Sequence, residues 1–314
     1  MKICKGDELV MSIPLILIGI ATATGAFGVG KTIKAGVDQK EANEINEEAN
    51  YIIKKSTNKI NKYRGNCGNA IENLGKCKIK VLDESIKPFI SEFEKLSNIE
   101  LTKSEGLDEL GNIVLDKSKF KDLKKIQLMV SSMIGGFASG TMCGALTAFG
   151  AYGAAGVFAT ASTGTVVLGG IVAGPALAVM GVVTGAKASA NKDKAYSNLI
   201  KAEKYREEMD TASLLCSSIE KKANMFSEIL NSLNSIFEPL ICEMSNIIKN
   251  KGTNFSEFSE KEKGVIIRAM SIAGAINSII DTPILDKDGN ITAKSSDVIE
   301  NLKNKENYYG LLFI

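Results

Sequence analysis

The chain has no histidine and no tryptophan, and only three arginines (Arg64, Arg206 and Arg268) and five prolines among 314 residues. Each scarcity closes a class of function. Without histidine there is no Ser-His-Asp triad, no imidazole general base and no His-ligated zinc. The formal net charge is +2, from 38 basic and 36 acidic side chains. A near-neutral surface built on lysine lacks the electrostatic footprint of a DNA or RNA reader, so no nucleic-acid partner is expected. Six cysteines, at 4, 67, 77, 143, 216 and 242, form no C-x-x-C pair. Most fall on apolar positions of helical patterns and read as small buried hydrophobes in a reducing compartment. Alternating strand patterns are nearly absent, and no solenoid-length repeat is visible.

Charge is also missing from one long stretch. Residues 126–186 carry none, and they hold 13 of the 29 glycines. Each glycine inside a helix costs roughly 0.8 to 1 kcal/mol relative to alanine, so thirteen cost on the order of 10 kcal/mol. Close approach of helix backbones is the usual offset. Gly136, Gly140, Gly144 and Ala148 recur at a spacing of four, which lines small residues along one helix face, and Gly170, Gly174 and Ala178 repeat the pattern. Ala161-Ser162-Thr163-Gly164-Thr165 is the best turn, leaving arms of about 35 and about 22 residues, each long enough to cross about 30 Å of hydrocarbon. The most apolar window, 165–183, is diluted by Gly, Ala, Thr and Pro175, so its insertion is expected to be conditional. Lys119, Lys121, Lys124 and Lys125 precede the hairpin and Lys187, Lys192 and Lys194 follow it, which keeps both feet on the cytoplasmic side. The opposite expectation is a hairpin buried inside a soluble bundle.

The N-terminus offers a second uncharged run, residues 10–30. Asp7 and Glu8 spoil it as a secretory signal. Met11 is the expected start, because codons for Lys5 to Glu8 can form a purine-rich ribosome-binding site. Beyond Lys31 the composition turns charged. Apolar residues from Ile45 through Ile60, Cys67, Leu74, Val81 and Ile86 to Phe93 recur every three or four positions, as on an amphipathic helix. Gly65, Gly68 and Gly75 weaken that helix and Pro88 kinks it, so several stacked pieces are expected. A matching stripe runs from Leu199 and Ile200 through Tyr205, Phe226 and Phe237 to Ile248, and the two long elements should bury their stripes against each other. Residues 97–106 read as loop. Ser259 with Glu262 forms a capping-box pattern, Asp281-Thr282-Pro283 is a stop, 286–290 is a tight turn, and Ser295 or Ser296 caps a short last helix.

One motif tempts towards chemistry. Gly25, Gly30, Lys31 and Thr32 satisfy the G-x-x-x-x-G-K-[ST] pattern of a phosphate-binding loop. Such a loop needs a buried strand before it and an acidic residue closing a second strand. Ile79-Lys80-Val81-Leu82-Asp83 is interrupted by lysine and Asn112-Ile113-Val114-Leu115-Asp116 is short. Asp286, Asp288 and Asn290 echo a calcium loop, but its twelfth position is Asp297 where glutamate belongs. No cofactor, metal site, activated nucleophile or enzyme activity is expected.

The stretches GLDEL at 106–110, GAYGAAGVFATASTGT at 150–165, VAGPALAV at 172–179 and DTPILDKDGN at 281–290 resemble a group of uncharacterised bacterial glycine-zipper helical proteins, sometimes labelled chemotaxis proteins. At the level of pattern, the long helices with an apolar hairpin are similar to apolipoprotein-L-like proteins and helical pore-forming toxins. The resemblance implies membrane activity of a toxin- or defence-like kind in the bacterial cytoplasm and cytoplasmic membrane.

The expectation is an all-α fold in which long amphipathic helices form an elongated bundle with a glycine-rich apolar hairpin. Its divisions are an apolar segment 1–30, a long helical region 31–125, the hairpin 126–186, a long helix 187–250 and a helical tail 251–314. Lipid is the expected partner, with homo-oligomerisation through Gly136, Gly140 and Gly144. A soluble interaction protein is the alternative, and a nucleotide-binding protein the third reading.

Overall fold

The computed structural model describes residues 37–99, 117–136, 139–154, 192–286 and 289–311. These form seven α-helices: α1 (Val37–Val81), α2 (Lys87–Phe93), α3 (Lys117–Gly136), α4 (Ser139–Tyr152), α5 (Lys192–Lys251), α6 (Glu260–Asp281) and α7 (Ala293–Leu311). Two isolated backbone bridges, Ser97 with Asn254 and Leu285 with Ile291, are the only extended pairings among the described residues. The fold is an all-α helical bundle.

Its frame is the pair α1 and α5, of 45 and 60 residues. Cross-helix contacts fix their relative direction. Lys192 pairs with Glu41 at 2.8 Å, Asn198 donates to Asn46 at 3.0 Å, Lys59 reaches Asp210 at 2.9 Å and Cys77 meets Asn231 at 3.2 Å. Both residue numbers climb together, so the helices run parallel. Over the first half of the pair the seam is thin, with Ala42 and Ala49 against Ala195 and Ala202, and Ile45, Ile52 and Leu199 closing its edge. Small residues at heptad spacing let two helices approach closely but bury little apolar area. The Asn46–Asn198 pair sits within this seam, where a polar pair fixes register at a cost in stability. We call this half, residues 41–60 with 192–210, the stalk.

From Cys67 onward the pair thickens into a head. Phe89 packs on Phe93 and Phe237 with centroids 5.5 and 5.3 Å away, and Phe93 meets Phe120 of α3 at 4.9 Å. α6 returns along α5 and buries Val265, Ile266, Ala269, Ile276 and Ile280. It opens on the expected capping box: Ser259 Oγ accepts from Glu262 N, and Glu262 accepts from Ser259 N at 2.8 Å. Among the described residues α6 alone is long and apolar enough to cross a membrane, yet 67% of that window is buried, as in a core helix.

Four expectations are corrected. First, α1 does not break into pieces: it runs without interruption through Gly65, Gly68 and Gly75. Gly75 is required rather than tolerated, since a Cβ there would lie 2.0 Å from Leu146 O; Gly65 and Gly68 face open space. The kink expected from Pro88 takes the form of a π-turn at Leu82–Ile86, closed by Lys87 N donating to Leu82 O, with Pro88 in the first turn of α2. Second, the first hairpin arm is not one rod. α3 ends at Gly136 and α4 starts at Ser139, so Gly136 does not share a helix with Gly140 and Gly144. Consecutive glycines at 135 and 136 withdraw helix propensity there. Third, Thr292 caps α7, accepting from Ser295 N at 3.2 Å, and α7 is 19 residues long. Fourth, Ile200 is 69% exposed instead of joining the seam.

Candidate functional site

α4 is the apolar piece whose placement matters most. It runs antiparallel to α1, with Leu146 against Gly75 and Gly150 against Ile71; a Cβ on Gly150 would lie 2.0 Å from Ile71 O. Gly153 ends the helix in the left-handed region, φ +59°, its N–H donating to Phe149 O at 3.0 Å. Ala151 O then accepts from both Ile284 N and Leu285 N, which ties the turn after α6 to α4. That turn is a tight one: Asn290 N donates to Asp286 Oδ1 at 2.8 Å, and Gly289 has φ +81°.

Lys78 stands where α1, α4 and α6 meet, and its side chain is fully buried. Its Nζ donates to Phe149 O at 3.3 Å and to Ile280 O at 3.4 Å, and lies 5.3 Å from the Phe149 ring centroid. Both carbonyls belong to the last turns of their helices, where the macrodipole is negative. Burial holds the Lys78 ammonium down to about 7, opposed by the nearby Asp281 carboxylate. Beside it a cleft of about 390 Å³ is lined by Asp122 and Lys125 of α3, Asn277 and Asp281 of α6, and Lys294 of α7. Lys294 pairs with Asp281 at 3.5 Å. Lys78 is not among the cleft's lining residues, so its amine has no open path to a substrate there. The arrangement pins three helices together.

No family model, curated protein or solved structure matches the chain. Among the described residues no group of histidine, cysteine or carboxylate side chains could hold a metal.

Of the residues singled out from sequence, Gly25, Gly30, Lys31 and Thr32 lie outside the described residues, as do Gly170, Gly174 and Pro175. Gly136 closes α3, and Gly140 and Gly144 lie in the first half of α4. Among the described residues, Gly75 and Gly150 admit the closest backbone approach, with Gly153 next, where a Cβ would lie 2.8 Å from Ile280 O. Sequence reasoning missed these contacts, and it missed Lys78. A signal existed for Lys78: it follows Leu74 by four and precedes Val81 and Leu82 by three and four, inside the apolar stripe.

Proposed function

We propose that this is a membrane-associating helical protein of the bacterial cytoplasmic membrane, without catalysis, whose stalk and head stand on the cytoplasmic side. One observation carries the reading. Because α1 and α5 are parallel, the chain enters both at the same end, at Val37 and Lys192, joined by the Lys192–Glu41 pair. The two uncharged apolar sequences, 10–30 and 165–183, immediately precede those two points. Lysines at 31 and 34 and at 187, 192 and 194 follow them, the charge pattern of apolar sequence that meets lipid beside a cytoplasmic foot. Permeabilisation and self-association through the glycine repeats of the second arm are the stronger forms of this reading, open to dye-leakage and cross-linking assays.

A specific observation favours a second reading. Phe149, Gly150 and Ala151 of the first arm are buried in the head, which is how an interaction protein would hold the whole hairpin. Fractionation separates the two. The native protein should stay in the pellet after carbonate extraction, and charging both apolar sequences, with Leu17→Lys, Val167→Lys and Leu168→Lys together, should release it while its circular dichroism is unchanged. Complete recovery of the wild type in the soluble fraction would overturn the membrane reading and leave the interaction protein.

A further inference from the structure

Lys78 is better served as an amine than as an ammonium. Its side chain is fully buried where α1, α4 and α6 meet, and its Nζ donates to two acceptors, Phe149 O at 3.3 Å and Ile280 O at 3.4 Å. A neutral amine has two N–H donors and an ammonium three. The neutral form satisfies both helix ends, whereas the charged form has only the Phe149 ring, its centroid 5.3 Å away, for the third. The ring, the helix-end carbonyls and the Asp281 carboxylate all favour the charge. Asp281 is shared with Lys294 of α7 at 3.5 Å, however, and burial outweighs the three together. Nearest along the other two helices are Cys77 of α1 and Tyr152 of α4, both pushed up by burial and so neutral. α3 presents Asp122 and Lys125 to the adjoining cleft.

The three helices are not equally bound. α6 buries twelve residues, and α1 is packed along the whole head. α4 has 14 residues, and beside Leu146 and Phe149 its buried side chains are those of Ala148 and Ala151. Alanine loses little on exposure, so α4 is the helix that leaves at least cost. Its last turn is fastened by Lys78 at Phe149 O and by Ile284 N and Leu285 N at Ala151 O. α4 carries no charge, so once undocked it offers an uncharged surface on every side.

We propose that Lys78 is a proton-operated latch on α4: as an amine it fastens the end of α4 to α1 and α6, and as an ammonium it drives α4 off α1 so that water reaches its charge. The sign follows from linkage. With α4 docked Lys78 releases its proton at about 7, and with water at Nζ it keeps the proton to its ordinary 10.5. The undocked conformer holds more protons between those values, so docking tightens as pH rises through the window and is weakest, and level, below it. The opening constant of α4 is then on the order of 100-fold larger at about pH 6 than at about pH 9.5. The inference is independent of where the apolar segments reside.

The test is hydrogen–deuterium exchange of the full chain, read by mass spectrometry at about pH 6 and about pH 9.5 and corrected for the intrinsic pH dependence of amide exchange. Peptides covering 146–152 should lose protection on the order of 100-fold at the lower pH, while those of α6 change less. Lys78→Met should make protection of 146–152 the same at both values, and Lys78→Gln, which can still donate to a helix-end carbonyl, serves if the methionine variant does not fold. Equal protection of 146–152 at the two pH values in the wild type, an equal loss in every helix, or a pH dependence that survives in a folded Lys78 variant would each overturn the proposal.

Discussion

The stalk and the head are built from the same two helices, yet they are held together differently. In the stalk each cluster is a few residues wide, alanine faces alanine, and cross-helix polar pairs do much of the matching: Asn46 with Asn198, Thr57 with Tyr205 at 2.9 Å, Lys59 with Asp210. Net of the hydration they replace, such polar pairs contribute about 1 kcal/mol each, so they define register more than strength. In the head the same helices gain phenylalanines, a π-turn, α4 and α6, and one continuous core forms. Stability is concentrated in the head, and the stalk's parallel direction depends on it. A parallel pair cannot be closed by a short turn, and it is the packing of α2, α3 and α4 that carries the chain away from the end of α1.

The largest expected effect tests the head at its centre. Lys78 in the unfolded chain keeps its proton up to about 10.5, whereas in the fold it releases it near 7. Between those values the unfolded state holds more protons, so stability rises with pH through that window, and the penalty of the buried charge is fully present below it. The gain is on the order of 4 kcal/mol across the window. Lys78→Met should abolish this slope. Urea midpoints of wild type and variant at about pH 6 and about pH 9.5 check it, and parallel pH profiles would mean that the two helix-end carbonyls keep Lys78 charged in the fold.

Next in size is Gly75→Ala. The new methyl would meet the Leu146 carbonyl, which is backbone and cannot turn aside, so α4 must move off α1 at a cost of about 3 kcal/mol. Equilibrium unfolding measures it, and an unchanged midpoint would deny the close crossing. Pro239 works in the other direction. It sits exposed inside α5, where its missing N–H leaves the carbonyl four residues earlier without a helical donor. Pro239→Ala should raise stability by about 1 to 2 kcal/mol, read from the same unfolding curves.

These three positions also mark what could be read from sequence. Helical class, the two long stripes, the Ser259 cap and the stop at Asp281 were legible because periodicity and capping are local. The direction of α5 relative to α1 was not, since a stripe states which face is buried and not which way its partner runs. Gly75 was read as weakness because low helix propensity and a close crossing leave the same letter in the sequence. The glycine spacing across 136, 140 and 144 suggested one face, but spacing carries no warning that the helix stops at Gly136. Lys78 was passed over because lysine is so rarely buried that a reader assigns it to solvent.

The smallest effect sharpens the boundary between the two regions. Gly65 lies ten residues before Gly75 on the same helix, exposed, with nothing within 4 Å of where a Cβ would sit. Alanine there loses no space and gains helix propensity, while the unfolded chain loses freedom. Gly65→Ala should therefore stabilise by about 0.5 to 1 kcal/mol, opposite in sign to Gly75→Ala. Gly68→Ala should behave alike, since its surroundings are as open. Denaturant midpoints of the single variants decide the matter. A gain at both positions means that this face of α1 is free where the stalk meets the head. A loss at either would place another backbone against α1 there, and the head would extend further down the stalk than the buried core indicates.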